Sequence, residues 1–274
     1  MSRVLITGSN SGFGKLAALS LARLGHDVIA TMRRVEKGAA LVAEAEAEGL
    51  RLEIRSLDVL DPTSVDVALA DAAQIDVLVN NAGYEVQSAV EQLSDELLLH
   101  QLDTNVVGPM RCIRAVMPAW RRRGSGVIVN VSSIAGRVGS PYGGAYSASK
   151  YALEGMSESL HFEVSMAGVR VHLIEPGSFD TGFHDNIVRP DDWVGSEHAD
   201  RCERFRAARG ALSGDGPPAD PQDVADAIVR AATDASTPFR TLVGADAMLI
   251  ESVKGSMTFE EFDATMRSTL DWHE

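Results

Sequence analysis

Short runs of apolar residues alternate with longer segments of helical periodicity along most of this chain. The short runs predict buried strands, because parallel strands covered on both faces form nearly continuous apolar stretches. The longer segments place apolar residues three and four positions apart, which predicts helices with one buried face. The predicted strands cover residues 3–6, 27–32, 51–57, 75–79, 127–131, 169–174 and 240–243, and the predicted helices cover residues 16–24, 36–48, 62–73, 95–120 and 145–167.

This alternation indicates an α/β fold, a doubly wound parallel sheet of Rossmann-like type with helices on both faces. We expect one domain over residues 1–274, since α/β chains of this length commonly form one. Gly25 is placed to end the first helix, Pro109 to bend the helix over 95–120, and Asp220 to begin a further helix.

Residues 177–216 contain turn residues, charges and apolar side chains without a clear period. A long segment of weak structure inside a compact domain is usually functional, so we expect an irregular substrate lid over 178–216 after the sixth strand. A C-terminal helix and strand are expected within residues 220–274.

Composition narrows the possible partners and compartment. The formal net charge of −14 disfavours binding to nucleic acid or to an anionic membrane surface. Two cysteines cannot form a disulfide framework, and no metal-binding spacing occurs, so we expect no metal site and a reducing, cytoplasmic location. No apolar run approaches about 20 residues, and the run at residues 4–6 is too short for a signal peptide, so we expect neither a membrane span nor a signal peptide.

A glycine-rich segment, TGSNSGFG at residues 7–14, separates the first predicted strand from the first predicted helix. Its glycines allow a sharp turn and a close approach of the backbone to a ligand, and the helix start offers N–H groups to an anion. An ordinary strand–helix turn is the alternative, but the position after the first strand favours dinucleotide binding.

The end of the second predicted strand distinguishes two dinucleotides. An NAD site would place an acidic residue there, whereas this chain has Met32 followed by Arg33 and Arg34. Guanidinium groups match a 2′-phosphate by charge-assisted hydrogen bonds, so NADP(H) is favoured while NAD(H) remains possible. The alternative is that Arg33, and more so Arg34, simply lies on a solvated turn.

Tyr146 and Lys150 lie four residues apart on a predicted helix and therefore share one face. An ammonium about 5 Å from a phenolate contributes roughly 3 kcal/mol at an effective dielectric constant of 20, which would lower the tyrosine pKa from about 10 to about 8. Tyr146 would then act as a general acid or base. A surface pair is the alternative if these two residues are considered alone.

Together these features resemble the classical short-chain dehydrogenase/reductase family. The segments that carry the resemblance are TGSNSGFG at 7–14, NNAG at 80–83, TNV at 104–106, VSS at 131–133, the Tyr146–Lys150 pair and the turn at 176–181. Ser133 precedes Tyr146 by 13 residues, and the segments follow one another in the order typical of the family. Residues 152–160 and 176–183 are most similar to the hydroxysteroid and retinol dehydrogenase branch.

The resemblance implies four catalytic residues. Tyr146 would exchange a proton with the substrate oxygen, and Ser133 would hydrogen-bond that oxygen. Lys150 would lower the tyrosine pKa and bind the ribose hydroxyls of the nicotinamide. Asn105 would hold a water that connects Lys150 to solvent.

The resemblance also implies cofactor contacts. Asp58 would meet the adenine amino group, with a core or helix-capping role as the alternative. Asn81 would lie by the adenine ribose, Asn80 would tie strands together, and Thr181 would donate to the nicotinamide carboxamide. The complete set of expected cofactor contacts is Gly8, Ser9, Asn10, Ser11, Gly12, Phe13, Gly14, Arg33, Asp58, Val59, Asn81, Ala82, Gly83, Tyr146, Lys150, Pro176, Gly177, Phe179 and Thr181.

The expected substrate pocket is lined by Tyr84, Val138, Tyr142, Phe183 and Trp193. These residues are largely apolar, without a concentration of Arg or Lys, so we expect an apolar ketone, aldehyde or secondary alcohol as the small-molecule substrate. Cellular NADP(H) is mostly reduced, which favours carbonyl reduction. Packing in the core is the alternative for each aromatic residue; Phe162 is expected there, and Trp193 remains open.

Three other functions stay open at this point. The chain could be an NAD-dependent alcohol dehydrogenase working oxidatively, or a dinucleotide-binding regulator without turnover, although the Ser–Tyr–Lys set is intact. A sugar-nucleotide epimerase or dehydratase would need a larger C-terminal domain. Family relatives form dimers or tetramers on their long helices, so a homodimer or homotetramer on helices 95–120 and 145–167 is expected, with no nucleic-acid or membrane partner.

Overall fold

The computed structural model describes residues 1–211 and 219–270. Within them lie seven strands: β1 Arg3–Ile6, β2 Asp27–Met32, β3 Leu52–Ser56, β4 Val77–Asn80, β5 Gly126–Val131, β6 Val169–Pro176 and β7 Arg240–Val243. All neighbouring strands pair in parallel, in the order β3-β2-β1-β4-β5-β6-β7. The strand order reverses between β1 and β4, which creates a crevice at the carboxyl ends of these strands.

Helices cover both faces of this sheet. They are α1 Gly12–Arg23, α2 Ala39–Ala47, α3 Pro62–Ala68, α4 Asp95–Leu102, α5 Gly108–Arg123, α6 Gly144–Val164, α7 Glu197–Ala211, α8 Pro221–Thr233, α9 Ala245–Gly255 and α10 Phe259–Leu270. One apolar core joins α1, α2 and α8 to the sheet, and a second joins α3, α5 and α6 to the opposite face. The predicted doubly wound α/β fold is confirmed.

Local signals place several helix boundaries where the sequence predicts them. Gly25 follows α1 with φ of +80°, a conformation that glycine adopts without strain. Asp220 caps α8, since its Oδ1 accepts the N–H of Gln222 at 2.9 Å. The bend expected at Pro109 is a π-helical turn, Asp103–Val107, which joins α4 to α5 immediately before Gly108.

The region after β6 is more regular than the sequence predicts. It contains α7, so the expectation of an irregular lid over residues 178–216 is wrong for this part; residues 212–216 lie outside the described residues. Alanine, arginine and glutamate, all good helix formers, dominate α7. Its few apolar residues repeat over too short a distance to produce a visible period.

A buried carboxylate pair joins β6, β7 and α6. Glu175, at the end of β6, is 1% exposed, and Glu154 on α6 is 5% exposed. Arg240 of β7 donates through Nε to Glu154 Oε2 at 3.1 Å, and Arg137 Nε lies 3.6 Å from Glu175 Oε1. Burial and the adjacent charge of Glu154 raise the pKa of Glu175 to about 7. The folded protein therefore holds a proton that the unfolded chain releases more easily.

This proton makes the stability of the fold depend on pH. The carboxyl pKa is about 7 when folded against an ordinary value of 4.5, so its favourable effect is complete below pH 4.5 and is lost as the pH rises through 7. Between pH 4.5 and 8, the free energy of unfolding should fall less in E175Q than in the wild type, and the difference between the two falls should reach up to about 3 kcal/mol. Urea unfolding at pH values from 4.5 to 8 measures the difference.

The matched control is E158Q. Glu158 is exposed and pairs with the same Arg240, at 2.7 Å, so this variant should keep the wild-type slope of stability against pH. If E175Q showed the wild-type slope of stability against pH, the buried proton on Glu175 would be contradicted.

Candidate active site

The carboxyl ends of the strands border a cleft of about 610 Å³. Loops that follow each of the strands from β1 to β6 form its walls, together with one face of α6 and one face of α7. The structure brings most of the expected site residues to this lining: Gly8, Asn10, Ser11, Gly12, Phe13, Arg33, Asp58, Val59, Asn81, Ala82, Gly83, Tyr84, Ser133, Tyr142, Tyr146, Lys150, Pro176, Gly177, Phe179, Thr181 and Phe183.

Five expected site residues lie outside the lining. Ser9 is buried and donates to the Ile6 carbonyl at 2.9 Å, and Gly14 lies beneath the Asn81 side chain. Val138 lies in the turn after β5, where its N–H donates to the Ile134 carbonyl at 3.0 Å. Trp193 is buried, with its ring 6.0 Å from that of Tyr142, so it supports the pocket wall from behind. The pocket positions expected for Val138 and Trp193 are therefore corrected, and Asn105 is treated below.

The glycine-rich loop has the backbone geometry that close ligand approach requires. Gly8 and Gly12 have φ values of +69° and +56°. A Cβ atom at Gly8 would lie 2.9 Å from the Ala82 Cα, so only glycine fits against the neighbouring loop. The Ser11 side chain makes no capping hydrogen bond, which leaves the first N–H groups of α1 to a ligand.

Hydrogen bonds join this loop to the one that follows β4. Thr7 Oγ1 accepts the backbone N–H groups of Asn81 and Ala82, both at 3.0 Å. The Asn81 amide donates to the carbonyls of Thr7 and Gly8 at 2.9 and 3.0 Å. The two loops are held as one unit, with Asn81 as its positioning residue. Asn80 donates to Asn130 Oδ1 at 2.8 Å and so ties β4 to β5, as the sequence analysis expects.

The turn after β6 is fixed from two sides. The rings of Phe13 and Phe179 meet edge to face with centroids 5.6 Å apart, which connects the turn to the glycine-rich loop. Asp246, in the first turn of α9, accepts the N–H of Ser178 at 2.8 Å. Sequence reasoning missed Asp246, because nothing in the chain indicates that α9 returns to this turn.

Tyr146, Lys150 and Ser133 occupy one wall of the cleft. Lys150 Nζ donates to the Val131 carbonyl at 2.9 Å and lies 5.5 Å from the centroid of the Tyr146 ring. Ser133 Oγ accepts the N–H of Ala135 at 3.1 Å, which orients its hydroxyl at the end of β5. Helical spacing alone predicts that Tyr146 and Lys150 share one face of α6. Ser133 reaches the same wall because β5 ends beside that helix.

Burial reverses the pKa shift expected for Tyr146. Removal from water raises the pKa of the phenol above its usual value of about 10, the negative charge of Glu85 raises it further, and the Ser133 hydroxyl acts in the opposite direction. Burial also lowers the pKa of Lys150 to about 8, while the charge of Glu154 opposes that change. The expected lowering of the Tyr146 pKa is wrong for the protein without a cofactor, because burial and the negative charge of Glu85 raise this pKa.

Asn105 lies in the π-helical turn and is 1% exposed. Its Nδ2 donates to the Tyr84 carbonyl and to Ser149 Oγ, both at 3.0 Å, and its Oδ1 accepts the N–H of Tyr84 at 3.2 Å. Ser149 in turn donates to the Tyr146 carbonyl at 2.7 Å. Asn105 thus connects the loop after β4 to the helix that carries the phenol; its expected role in holding a water stays a prediction.

Aromatic side chains form the substrate end of the cleft. The Tyr84 hydroxyl lies 2.6 Å from His100 Nδ1, and the Phe183 ring lies 5.9 Å from the Tyr146 ring. Tyr142 has φ of +62°, a left-handed conformation that is strained for a bulky residue and is often found at functional sites.

Charged residues also reach this end, contrary to expectation. Arg206 and Arg209 of α7 line the cleft, and Glu85 and His184 lie in the same region. The expectation that no arginines concentrate at the pocket is therefore wrong. Sequence reasoning missed them because it assigned no helix to the segment that carries them.

Two further findings concern the described residues only. No three histidine, cysteine, aspartate or glutamate side chains in residues 1–211 and 219–270 are grouped so that they could hold a metal ion. None of the helices in these ranges is both long and apolar enough to cross a bilayer.

The chain belongs to the short-chain dehydrogenase family, whose model (short chain dehydrogenase) matches residues 2–192. It is 35% identical over 246 residues to a 3-ketodihydrosphingosine reductase of Bacteroides thetaiotaomicron, covering 88% of this chain and 87% of that protein. It is also 37% identical over 251 residues to retinol dehydrogenase 8 of Bos taurus, covering 86% and 80%. The predicted family is confirmed.

Solved structures show the same fold. A short-chain dehydrogenase from Streptomyces avermitilis matches with a TM-score of 0.78 and 36% identity, covering 98% of each chain. A metagenomic short-chain oxidoreductase solved in complex with NADP matches with a TM-score of 0.69 and 28% identity, covering 88% of this chain and 96% of that one.

Asn105 should contribute measurably to stability. N105A removes three hydrogen bonds of a buried amide and leaves the Tyr84 N–H without its acceptor, although the Tyr84 carbonyl keeps its bond from Gln101 Nε2 at 2.7 Å, so we expect a loss of about 1–3 kcal/mol in urea unfolding. The matched control is T104A: Thr104 is the neighbouring residue, and its hydroxyl donates an exposed hydrogen bond to the His100 carbonyl at 3.0 Å. T104A should change stability by less than about 0.5 kcal/mol. Equal losses in both variants would contradict the bridging role of Asn105.

Proposed function

We propose that this protein is an NADP(H)-dependent oxidoreductase that reduces a ketone or aldehyde on a largely apolar molecule to the alcohol. One observation carries the proposal: Tyr146, Lys150 and Ser133 lie on one wall of a cleft whose other walls include the glycine-rich loop. A proton donor and a dinucleotide cradle therefore share one cavity, as carbonyl reduction requires.

The residues present fit a nicotinamide dinucleotide phosphate. The positive-φ glycines and the uncapped start of α1 suit the pyrophosphate. Arg33, Arg34 and Lys37 line the cleft after β2 and are exposed, which suits a 2′-phosphate. The solved relative in complex with NADP supports this choice. When bound, the reduced cofactor supplies the hydride that reaches the carbonyl carbon.

The chain supplies orientation and the proton. Ser133 donates a hydrogen bond to the substrate carbonyl oxygen and orients it toward Tyr146. As negative charge develops on that oxygen, the O–H bond of Tyr146 breaks and its proton forms the hydroxyl of the product. The raised pKa of Tyr146 keeps the phenol protonated at neutral pH, which suits an acid working in the reductive direction.

Lys150 balances the charge that this transfer creates. Its pKa of about 8 keeps most Lys150 side chains in the ammonium form at pH 7, 5.5 Å from the ring that becomes phenolate.

The aromatic wall of Tyr84, Tyr142 and Phe183 favours an apolar substrate body. The relatives named as a ketodihydrosphingosine reductase and a retinol dehydrogenase are consistent with such a substrate.

We also propose that the protein forms a homodimer or homotetramer in the cytoplasm. Leu99 on α4 is 63% exposed, and Phe162 on α6, which the sequence analysis expects in the core, is 70% exposed. Apolar side chains on the long helices would gain from burial against a second copy.

Replacing the proton donor should separate chemistry from cofactor binding. Y146F removes only the phenolic hydroxyl, so we expect turnover to fall by at least about 100-fold while the NADPH dissociation constant changes little. Ketone reduction followed by NADPH absorbance, with fluorescence titration of NADPH, measures both. The control Y151F alters an exposed tyrosine of the same helix and should keep wild-type activity. Wild-type turnover in Y146F would refute the assigned acid.

Replacing Arg33 should test cofactor selection. R33A removes a charge-assisted contact to the 2′-phosphate, so the NADPH dissociation constant should rise about 10- to 100-fold while that of NADH stays nearly constant. The control R23A alters an exposed arginine that pairs with Glu48 and does not line the cleft. Parallel losses for NADPH and NADH would exclude a role in selection and reopen NAD(H) as the cofactor.

A further inference from the structure

The inner face of α7 combines apolar and cationic groups in a regular pattern. Cys202, Phe205, Arg206 and Arg209 all line the cleft, at the spacing that places residues on one side of a helix. Cys202 and Phe205 are each 3% exposed, and the two arginines are half-buried. The helix therefore places two guanidinium groups, about one turn apart, on the wall of the cleft.

Neither guanidinium has a carboxylate within ion-pairing distance in residues 1–211 and 219–270. Arg206 Nη2 lies 3.4 Å from His184 Nδ1, and Arg209 Nη2 donates to Ser178 Oγ at 3.1 Å. Both contacts use neutral acceptors, since burial and the charge of Arg206 lower the pKa of His184. The outward-facing Arg201 on the same helix, in contrast, pairs with Glu197 at 3.0 Å.

Other charges nearby do not cancel this pair. Glu85 lines the cleft and lies close enough for Arg206, Arg209 and Arg189 to lower its pKa, against the larger effect of burial, which raises it. One carboxylate thus faces two guanidinium groups of the lining, which leaves an excess of positive charge. Asp180 and Asp185 also act on His184, but they are exposed and outside the lining.

Resting on the proposed reductase function, we propose that the substrate carries an anionic group, bound by Arg206 and Arg209, at the end opposite its reacting carbonyl. The Phe183 ring lies 5.9 Å from the Tyr146 ring and 6.3 Å from the His184 ring, and Arg206 follows beyond His184. An apolar body against Phe183 therefore separates the carbonyl at Tyr146 from the anion. The substrate class is an oxo-carboxylic acid with an aliphatic or aromatic body.

Matched pairs of substrates test this proposal. Oxo-carboxylic acids of increasing chain length are compared with their methyl esters, which keep the body and the carbonyl but lack the charge. With NADPH in excess, the wild type should favour at least one acid over its ester by about 10- to 100-fold in kcat/KM, because a half-buried guanidinium–carboxylate pair is charge-assisted. Added salt should reduce that preference.

The variants R206A and R209A, singly and together, should lose the preference for the acid while ester reduction stays within about threefold of wild type. R204A is the matched control, because Arg204 lies on the exposed face of α7, outside the lining; it should keep the preference. Equal rates for acid and ester in the wild type overturn the proposal, and so does an acid preference that survives in the double variant.

Two further measurements separate this proposal from its rivals. Cofactor phosphates are the other source of an anion, so NADPH is titrated into each variant; a dissociation constant raised tenfold or more would assign the arginines to the cofactor and overturn the proposal. Binding of the acids to NADP⁺-loaded protein is followed by calorimetry. If the acids bind in an arginine-dependent way but are not turned over, the anion site is retained and the reductase function is refuted. If ketones are reduced but the acids do not bind through the arginines, the reductase function is retained and the anion site is refuted.

Discussion

The parallel order of the strands is the constraint on which the site depends. Because β1, β4, β5 and β6 all run in one direction, the loops that follow them meet at one edge of the sheet. Residues more than 120 positions apart, such as Gly8 and Ser133, thereby line one cleft. The hydrogen bonds of Thr7 and Asn81 then hold two of these loops as a unit. A ligand therefore binds a preorganised surface, and binding does not include the entropic cost of ordering these loops.

Within that cleft, burial and nearby carboxylates set the pKa values of Tyr146 and Lys150: both effects raise the pKa of Tyr146, whereas they oppose each other on Lys150. Burial keeps the Tyr146 phenol neutral and brings the pKa of Lys150 to about 8, and the proposed proton donor and its supporting cation need these protonation states at neutral pH. Nearby carboxylates modify this balance: Glu85 acts on Tyr146 and Glu154 on Lys150. The pKa values of Tyr146 and Lys150 thus depend on carboxylates outside this pair.

The wall formed by α7 differs from the rest of the cleft in the kind of side chains that it contributes. The dinucleotide end is built from backbone and small residues, whereas α7 contributes long side chains, Phe205 and two arginines, from one helical face. In the proposed reaction these groups take no part in hydride or proton transfer and act only on substrate choice. The proposed reaction and the proposed substrate choice therefore rest on separate elements of one fold.

The sequence by itself determined the fold class, the succession of strands along the chain and the shared helical face of Tyr146 and Lys150, because strand patterns, glycine positions and helical spacing are local properties of the chain; Ser133 entered only through the family resemblance. It also located the end of α1 at Gly25 and the start of α8 at Asp220. Only the tertiary structure decided the sign of the Tyr146 pKa shift, since burial depends on packing from distant segments. It alone placed Asp246 at the turn after β6, Trp193 behind Tyr142 and Arg206 in the cleft, because these positions depend on how helices pack against one another and leave no periodic trace in the sequence.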